Sequence, residues 1–229
     1  MQQVLLGLAV IVSTVVLFIA MQKLYEKYSH PFLLPILTVT IITVIILLLF
    51  NIPYDTYMEG GQWIQNMLGP AVVALAFPLY NQRALIFKYK YSIVTSLVVG
   101  MLSGLISVFT LLKLVGASED FLLTALPKSL TTPVAMQVSE SIHGIAPLTA
   151  VLVMVAGFTG AIFGPFLYKL AKIDTAISRG VSMGSASHGV GLTKLKEYSE
   201  EDLSIGSLSM GLSAVLGAFM CPLFVMIFM

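Results

Sequence analysis

Charge is scarce in this sequence. Asp, Glu, Lys and Arg together make up 10% of its 229 residues, and the formal net charge is +1. Soluble domains carry about 25% charged residues. The near-neutral balance also leaves no electrostatic footprint for nucleic acid. Cysteine is almost missing: the single Cys221 lies in an apolar run, which excludes an intramolecular disulfide and a thiolate metal cage. Histidine is rare, and His30, His143 and His188 stand far apart with no metal-ligand spacing. Neither H-E-x-x-H nor G-x-S-x-G occurs, so no enzyme, metal or cofactor is expected. The first apolar run lacks the basic start and A-x-A cleavage site of a signal peptide, and is read as a retained helix.

Apolar residues are what the chain has instead. They make up 58% of it, and the mean hydropathy is +0.97. A bilayer removes the need for a polar surface, and a spanning helix needs about 20 mostly apolar residues. Val4–Met21, Leu33–Phe50, Ser92–Leu112, Pro147–Leu170 and Ser204–Met229 meet that standard. Three other stretches are interrupted. Gly61–Tyr80 carries Gly69-Pro70 and Pro78, Phe121–His143 carries Pro127 and Pro133, and Gly180–Leu195 is glycine-rich. Proline removes a backbone donor and glycine weakens a helix, so broken helices or re-entrant hairpins are expected there. Irregular backbone at membrane depth requires protein or a water-filled cavity around it.

Loop charges choose among these options. Lys23 and Lys27 mark the loop Gln22–Pro31 as inside, Asp55 and Glu59 leave Asn51–Gly60 outside, and Arg83, Lys88 and Lys90 put Asn81–Tyr91 inside. Gly61–Tyr80 then crosses. If Phe121–His143 dips in from outside and returns, Lys169, Lys172 and Arg179 stay inside; by the same logic Gly180–Leu195 returns to the inside. The expected fold is an all-α, polytopic transmembrane bundle of about six full spans plus two re-entrant hairpins, with both termini outside a bacterial cell membrane. Leu68-Gly69-Pro70-Ala71-Val72 resembles Thr131-Thr132-Pro133-Val134-Ala135 faintly. That likeness, with hairpins entering from opposite faces, suggests an inverted repeat of about 1–112 and 113–229 within one domain, 1–229.

Four constellations can carry chemistry. In Leu126–Pro133, Thr132 reads as an N-cap and Pro133 as the first helical residue. A helix start with Lys128 beside it suits a carboxylate, with Ser129, Thr131 and Thr132 adding hydroxyls; the alternative is that Lys128 snorkels and the threonines only cap. In Gly184–Gly191, the polar side chains are Ser185, Ser187 and His188, with Gly189 following; the segment either binds substrate or carries a proton, or is a loop with a structural histidine. Glu140 and His143 share a helix face and either titrate with a coupled proton or lie solvated at a hairpin's aqueous end. A break at Asn66–Pro70 frees carbonyls before Pro70 and amides after it, so Asn66, Gly69 and Pro70 either join a binding site or form a plain kink. Gly100-x-x-x-Gly104 and Gly160-x-x-x-Gly164 read as close helix packing, within the chain or in a homodimer. The acidic run Glu197–Asp202 reads as a solvated turn.

At these motifs the chain resembles the CidB/LrgB family of bacterial membrane proteins. The resemblance is carried by Leu68-Gly69-Pro70-Ala71-Val72-Val73-Ala74-Leu75-Ala76 with Pro78-Leu79-Tyr80, by Leu126-Pro127-Lys128-Ser129 with Thr131-Thr132-Pro133-Val134-Ala135, and by Ser187-His188-Gly189-Val190-Gly191, in that order along the chain. It implies one of two activities. One is holin/antiholin-like control of murein hydrolase export and lysis, with a small holin-like (CidA/LrgA-type) membrane partner. The other is transport of small monocarboxylates such as pyruvate, or glycolate and glycerate in a related plant plastid protein. The residues favour the second: a buried lysine at a capped helix start suits a small organic anion better than a large lesion. The expected binding residues are those named above, with His188 or Glu140 relaying a proton.

Overall fold

Each apolar run of the sequence forms helix. The computed structural model describes residues 2–28, 33, 35–74, 76–81 and 83–229. His30 and Leu75, both part of the sequence reading, lie outside them. Among the described residues every long element is an α-helix: α1 (Gln2–Tyr28), α2 (Pro35–Leu49), α3 (Tyr54–Asn66), α4 (Leu68–Ala74), α5 (Ala76–Asn81), α6 (Arg83–Leu114), α7 (Glu119–Ala125), α8 (Thr132–Ser141), α9 (Ala146–Leu170), α10 (Ala176–Leu195) and α11 (Glu200–Phe228). A 3-10 turn, Leu126–Ser129, joins α7 to α8. Among the described residues four helices are long and apolar enough to cross a membrane: Gly7–Tyr28, Phe87–Leu114, Ala146–Leu170 and Glu200–Phe228. Leu37–Leu49 is apolar but shorter. The expected crossing Gly61–Tyr80 is broken, with Met67 closing α3 and two short helices following.

The chain divides into two compact units, Met1–Ala71 and Val72–Met229. In the first, α1 packs on α2 and α3. The α1–α3 approach is close because Gly60 has no side chain: a Cβ there would lie 2.7 Å from Val10 Cγ2.

The second unit is organised by two chain reversals, each followed by a long helix. The first spans α7 to α8. The Ile145 amide donates to Thr124 Oγ1 at 2.8 Å. A straight helix over those residues would hold the two about 31 Å apart, so the segment goes out and comes back. Ser118, with Glu119 and Asp120 in the first turn, opens α7. Pro127 and Pro133 break the helix between them. The Thr131 carbonyl accepts from the Ala135 amide at 2.8 Å, which makes Thr131 the cap, one residue earlier than the sequence suggests.

The second reversal lies inside α10. His188 has φ 38° and ψ −138°, outside helical space. Gly206 of α11 touches Gly180 on one side of it, and both Leu192 and Leu195 on the other. In a straight helix Gly180 and Leu195 would be about 22 Å apart. Residues 176–187 and 189–195 are therefore two arms of a hairpin. Glycine permits it: Gly180 and Gly184 lie against Ile205 and Gly206, where any Cβ would overlap.

Two long helices, α9 and α6, hold the reversals. Thr149 near the start of α9 bonds the base of the first hairpin. Tyr168 near the end of α9 clusters with Met183 and Leu195 at the base of the second. α6 packs against α10, α11 and the 3-10 turn. The hairpins thus start from opposite ends of α9, and the 3-10 turn of the first packs on α10 of the second.

Candidate functional site

The 3-10 turn and the first arm of α10 border one cavity of about 1170 Å³, walled also by α6 and α9. Lys128, Ser129, Ser185 and Ser187 line it. Two predicted segments, about 60 residues apart in sequence, are brought together here. Among the described residues, Lys128 is the one charged side chain that lines the cavity. It is half-buried, and its ammonium lies 3.3 Å from Ser129 Oγ. Among the described residues no carboxylate lies within ion-pair distance of it. A half-buried ammonium without a counter-ion is costly unless an anion or water meets it.

The other predicted residues fall around this core. Thr132 and Pro133 form the first turn of α8, whose free amides and positive dipole end sit next to the turn carrying Lys128. The Thr131 hydroxyl is buried and has no hydrogen-bond partner among the described residues. His188 is buried and turned to α9, its Nε2–H donating to the Val153 carbonyl at 3.0 Å. That bond holds a residue whose backbone is strained, and its ring carbon would meet a Cβ at Gly157. Gly189 is exposed. Glu140 and His143 are exposed at the base of the first hairpin, at the opposite end of α8 from Lys128. Asn66, Gly69 and Pro70 belong to the first unit at the α3–α4 junction, where Asn66 shares a weak 3.5 Å bond with Gln62 of its own helix.

Two expectations need correcting. Gly160 and Gly164 are close-packing positions, against Ser187 and Met183. Gly100 and Gly104 are not so among the described residues: a Cβ at either would meet none of them within 4 Å, and both line the cavity. The acidic run Glu197–Asp202 is not simply solvated, because Asp202 is fully buried and bound to Arg179.

Sequence reading missed the α6 wall. Ser92, Ser96, Gly100, Gly104 and Ser107 all line the cavity. Their spacing of three or four residues is the available signal, a small polar stripe on an otherwise apolar helix. Thr159 of α9 adds another hydroxyl. The result is a largely apolar chamber that carries several hydroxyls and, among the described residues, Lys128 as its one charged side chain.

Comparisons with known proteins agree along the chain. The family model described as LrgB-like family matches residues 14–227. The uncharacterized protein YxaC of Bacillus subtilis (strain 168) is 45% identical over 228 residues, covering 100% of this chain and 99% of that one. The holin-like protein CidB of Staphylococcus epidermidis (strain ATCC 12228 / FDA PCI 1200) is 35% identical over 228 residues, 100% of both chains. The protein of that name from Staphylococcus aureus (strain N315) is 35% identical over 222 residues, 97% of each. No solved structure matches.

Proposed function

The chain belongs to the LrgB-like family of membrane proteins, and from that premise we propose that it is a holin-like permeability component of the bacterial cell membrane. In this reading it governs murein hydrolase export and lysis together with a small holin-like membrane partner. The observation that carries it is full-length similarity, at 35% identity, to proteins named holin-like.

A second reading is favoured by one feature of the site. Among the described residues Lys128 has no carboxylate partner, and it lines a cavity with several hydroxyls where two chain reversals meet. A secondary transporter, or transporter subunit, for small monocarboxylates such as pyruvate or glycolate would use that arrangement. Lys128 and the start of α8 would hold the carboxylate, and Ser129, Thr131, Ser185 and Ser187 would meet hydroxyl or carbonyl oxygens. Residues 121–143 and 180–195 then enter the membrane from opposite faces, with both termini outside. Both hairpins lie within the second of the expected repeats, about 113–229, and in this reading that repeat moves against the first, about 1–112.

Liposomes separate the readings. With the purified protein and its small partner, release of a trapped dye without saturable solute uptake supports the holin-like reading. Saturable uptake of labelled pyruvate or glycolate, lost in the Lys128→Ala, Thr132→Ala double variant, supports the transport reading. Uptake unchanged in that variant removes the site from it, and neither leakage nor uptake refutes both.

A further inference from the structure

Ser209 and Ser213 of α11 are 0% and 2% exposed, and neither hydroxyl has a hydrogen-bond partner among the described residues. This is unusual for serine in an apolar helix. Such a hydroxyl ordinarily donates to the carbonyl four residues back, as Ser207 does to Leu203 at 2.8 Å, and Ser185 to Val181 at 2.7 Å. Leaving two buried hydroxyls unmet costs about 1–3 kcal/mol each. Something else satisfies them.

Their position along α11 says where. Gly206 faces both arms of the second hairpin, and Gly217 lies under Leu130 at the tip of the first. At 3.6 residues per turn, Ser213 falls about 20° from Gly206 and about 40° from Gly217 on the helix surface, between them in height. Ser209 is one turn earlier. The first arm of α10 runs parallel to α11, paired at Arg179–Asp202 and again at Gly184–Gly206. Continued at about 1.5 Å per residue, its last turn reaches the level of Ser209. That turn ends at His188, and a helix end presents carbonyl oxygens and partial negative charge. Lys128 lines the cavity, while Leu130 covers Gly217.

The geometry points to a Na⁺ site formed by Ser209 Oγ, Ser213 Oγ and the carbonyl end of residues 176–187. Neutral oxygen donors without a carboxylate suit a hard monovalent cation and cannot repay the dehydration of a divalent one. Broken helix ends are where membrane proteins hold such ions. The ion site stands apart from the solute reading, because it is tested with Na⁺ alone and no solute.

The test is thermal melting of the purified full-length protein in detergent, with NaCl exchanged for KCl at constant ionic strength. Na⁺ at a hundredfold over half-saturation raises the melting temperature by about 5 °C or more, saturably, and K⁺ does not. In the Ser209→Ala, Ser213→Ala double variant the Na⁺ effect is lost while melting in KCl is no lower than that of the wild type, since removing an unpartnered hydroxyl sacrifices no bond. If the double variant does not fold, Ser213→Ala alone serves as the comparison. Equal melting of the wild type in Na⁺ and K⁺ overturns the site and leaves buried water as the hydroxyls' partner. A Na⁺ shift that survives the serine substitutions overturns it equally.

Discussion

Arg179 grips Asp202 across the junction of α10 and α11, with Nε and Nη2 reaching the two carboxylate oxygens at 2.7 and 3.0 Å. Asp202 is fully buried and also accepts from Ser199 Oγ at 2.6 Å. The Arg179 carbonyl in turn accepts from Tyr168 of α9 at 2.9 Å. One ion pair therefore ties the base of the second hairpin to the two helices that flank it.

Breaking that pair on one side leaves a buried charge. Arg179→Met should destabilise the protein by about 3–5 kcal/mol, and adding Asp202→Leu should restore much of the loss, because an apolar pair needs no counter-charge. Melting temperatures of the single and double variants in detergent check this. A double variant as unstable as Arg179→Met would contradict it.

The base of the first hairpin depends on Thr149. Its hydroxyl donates to the Thr124 carbonyl at 2.9 Å and shares a 2.7 Å bond with Ser139 Oγ. Thr149→Val keeps the shape and removes both bonds, at a cost of about 1–3 kcal/mol, whereas Thr149→Ser should be far milder. Protease sensitivity around residues 121–143 provides the readout.

Close packing at Gly160 is a third prediction. A Cβ there would overlap Ser187 at the tip of the second hairpin. Gly160→Ala should cost about 1–3 kcal/mol. Adding Ser187→Gly should recover part of it, measured as folded yield after purification. Gly100→Ala, where the Cβ position is open, should leave yield unchanged.

Orientation is testable through the scarcity of cysteine. Cys221 is buried and should resist a membrane-impermeant thiol reagent. In a Cys221→Ala background, Ala117→Cys should react in intact cells, and Lys172→Cys only after the membrane is opened. The reverse pattern would invert the proposed topology.

Much of the fold was legible because its signals are local. Runs such as Pro147–Leu170 announce their helices through unbroken apolarity, and Pro127, Pro133 and the glycines around His188 announce breaks because proline and glycine act on their own backbone. Lys128 stood out as an isolated charge in an apolar setting. The serines of α6 did not, since Ser92, Ser96 and Ser107 look like tolerated polar residues until a cavity is seen beside them. Asp202 was misjudged for a similar reason: an acidic run looks solvated unless its partner, 23 residues earlier, is known.

By itself the sequence determined that this is a helical membrane protein with interrupted segments, because hydropathy and backbone propensity are properties of neighbouring residues. Only the tertiary structure decided that residues 121–143 and 180–195 reverse direction, that Lys128 and Ser187 border one chamber, and that Ser209 and Ser213 lack partners. Those facts depend on which helix lies against which. They are set by fits such as Gly206 between the arms of α10, and no single stretch of sequence carries both halves of a contact.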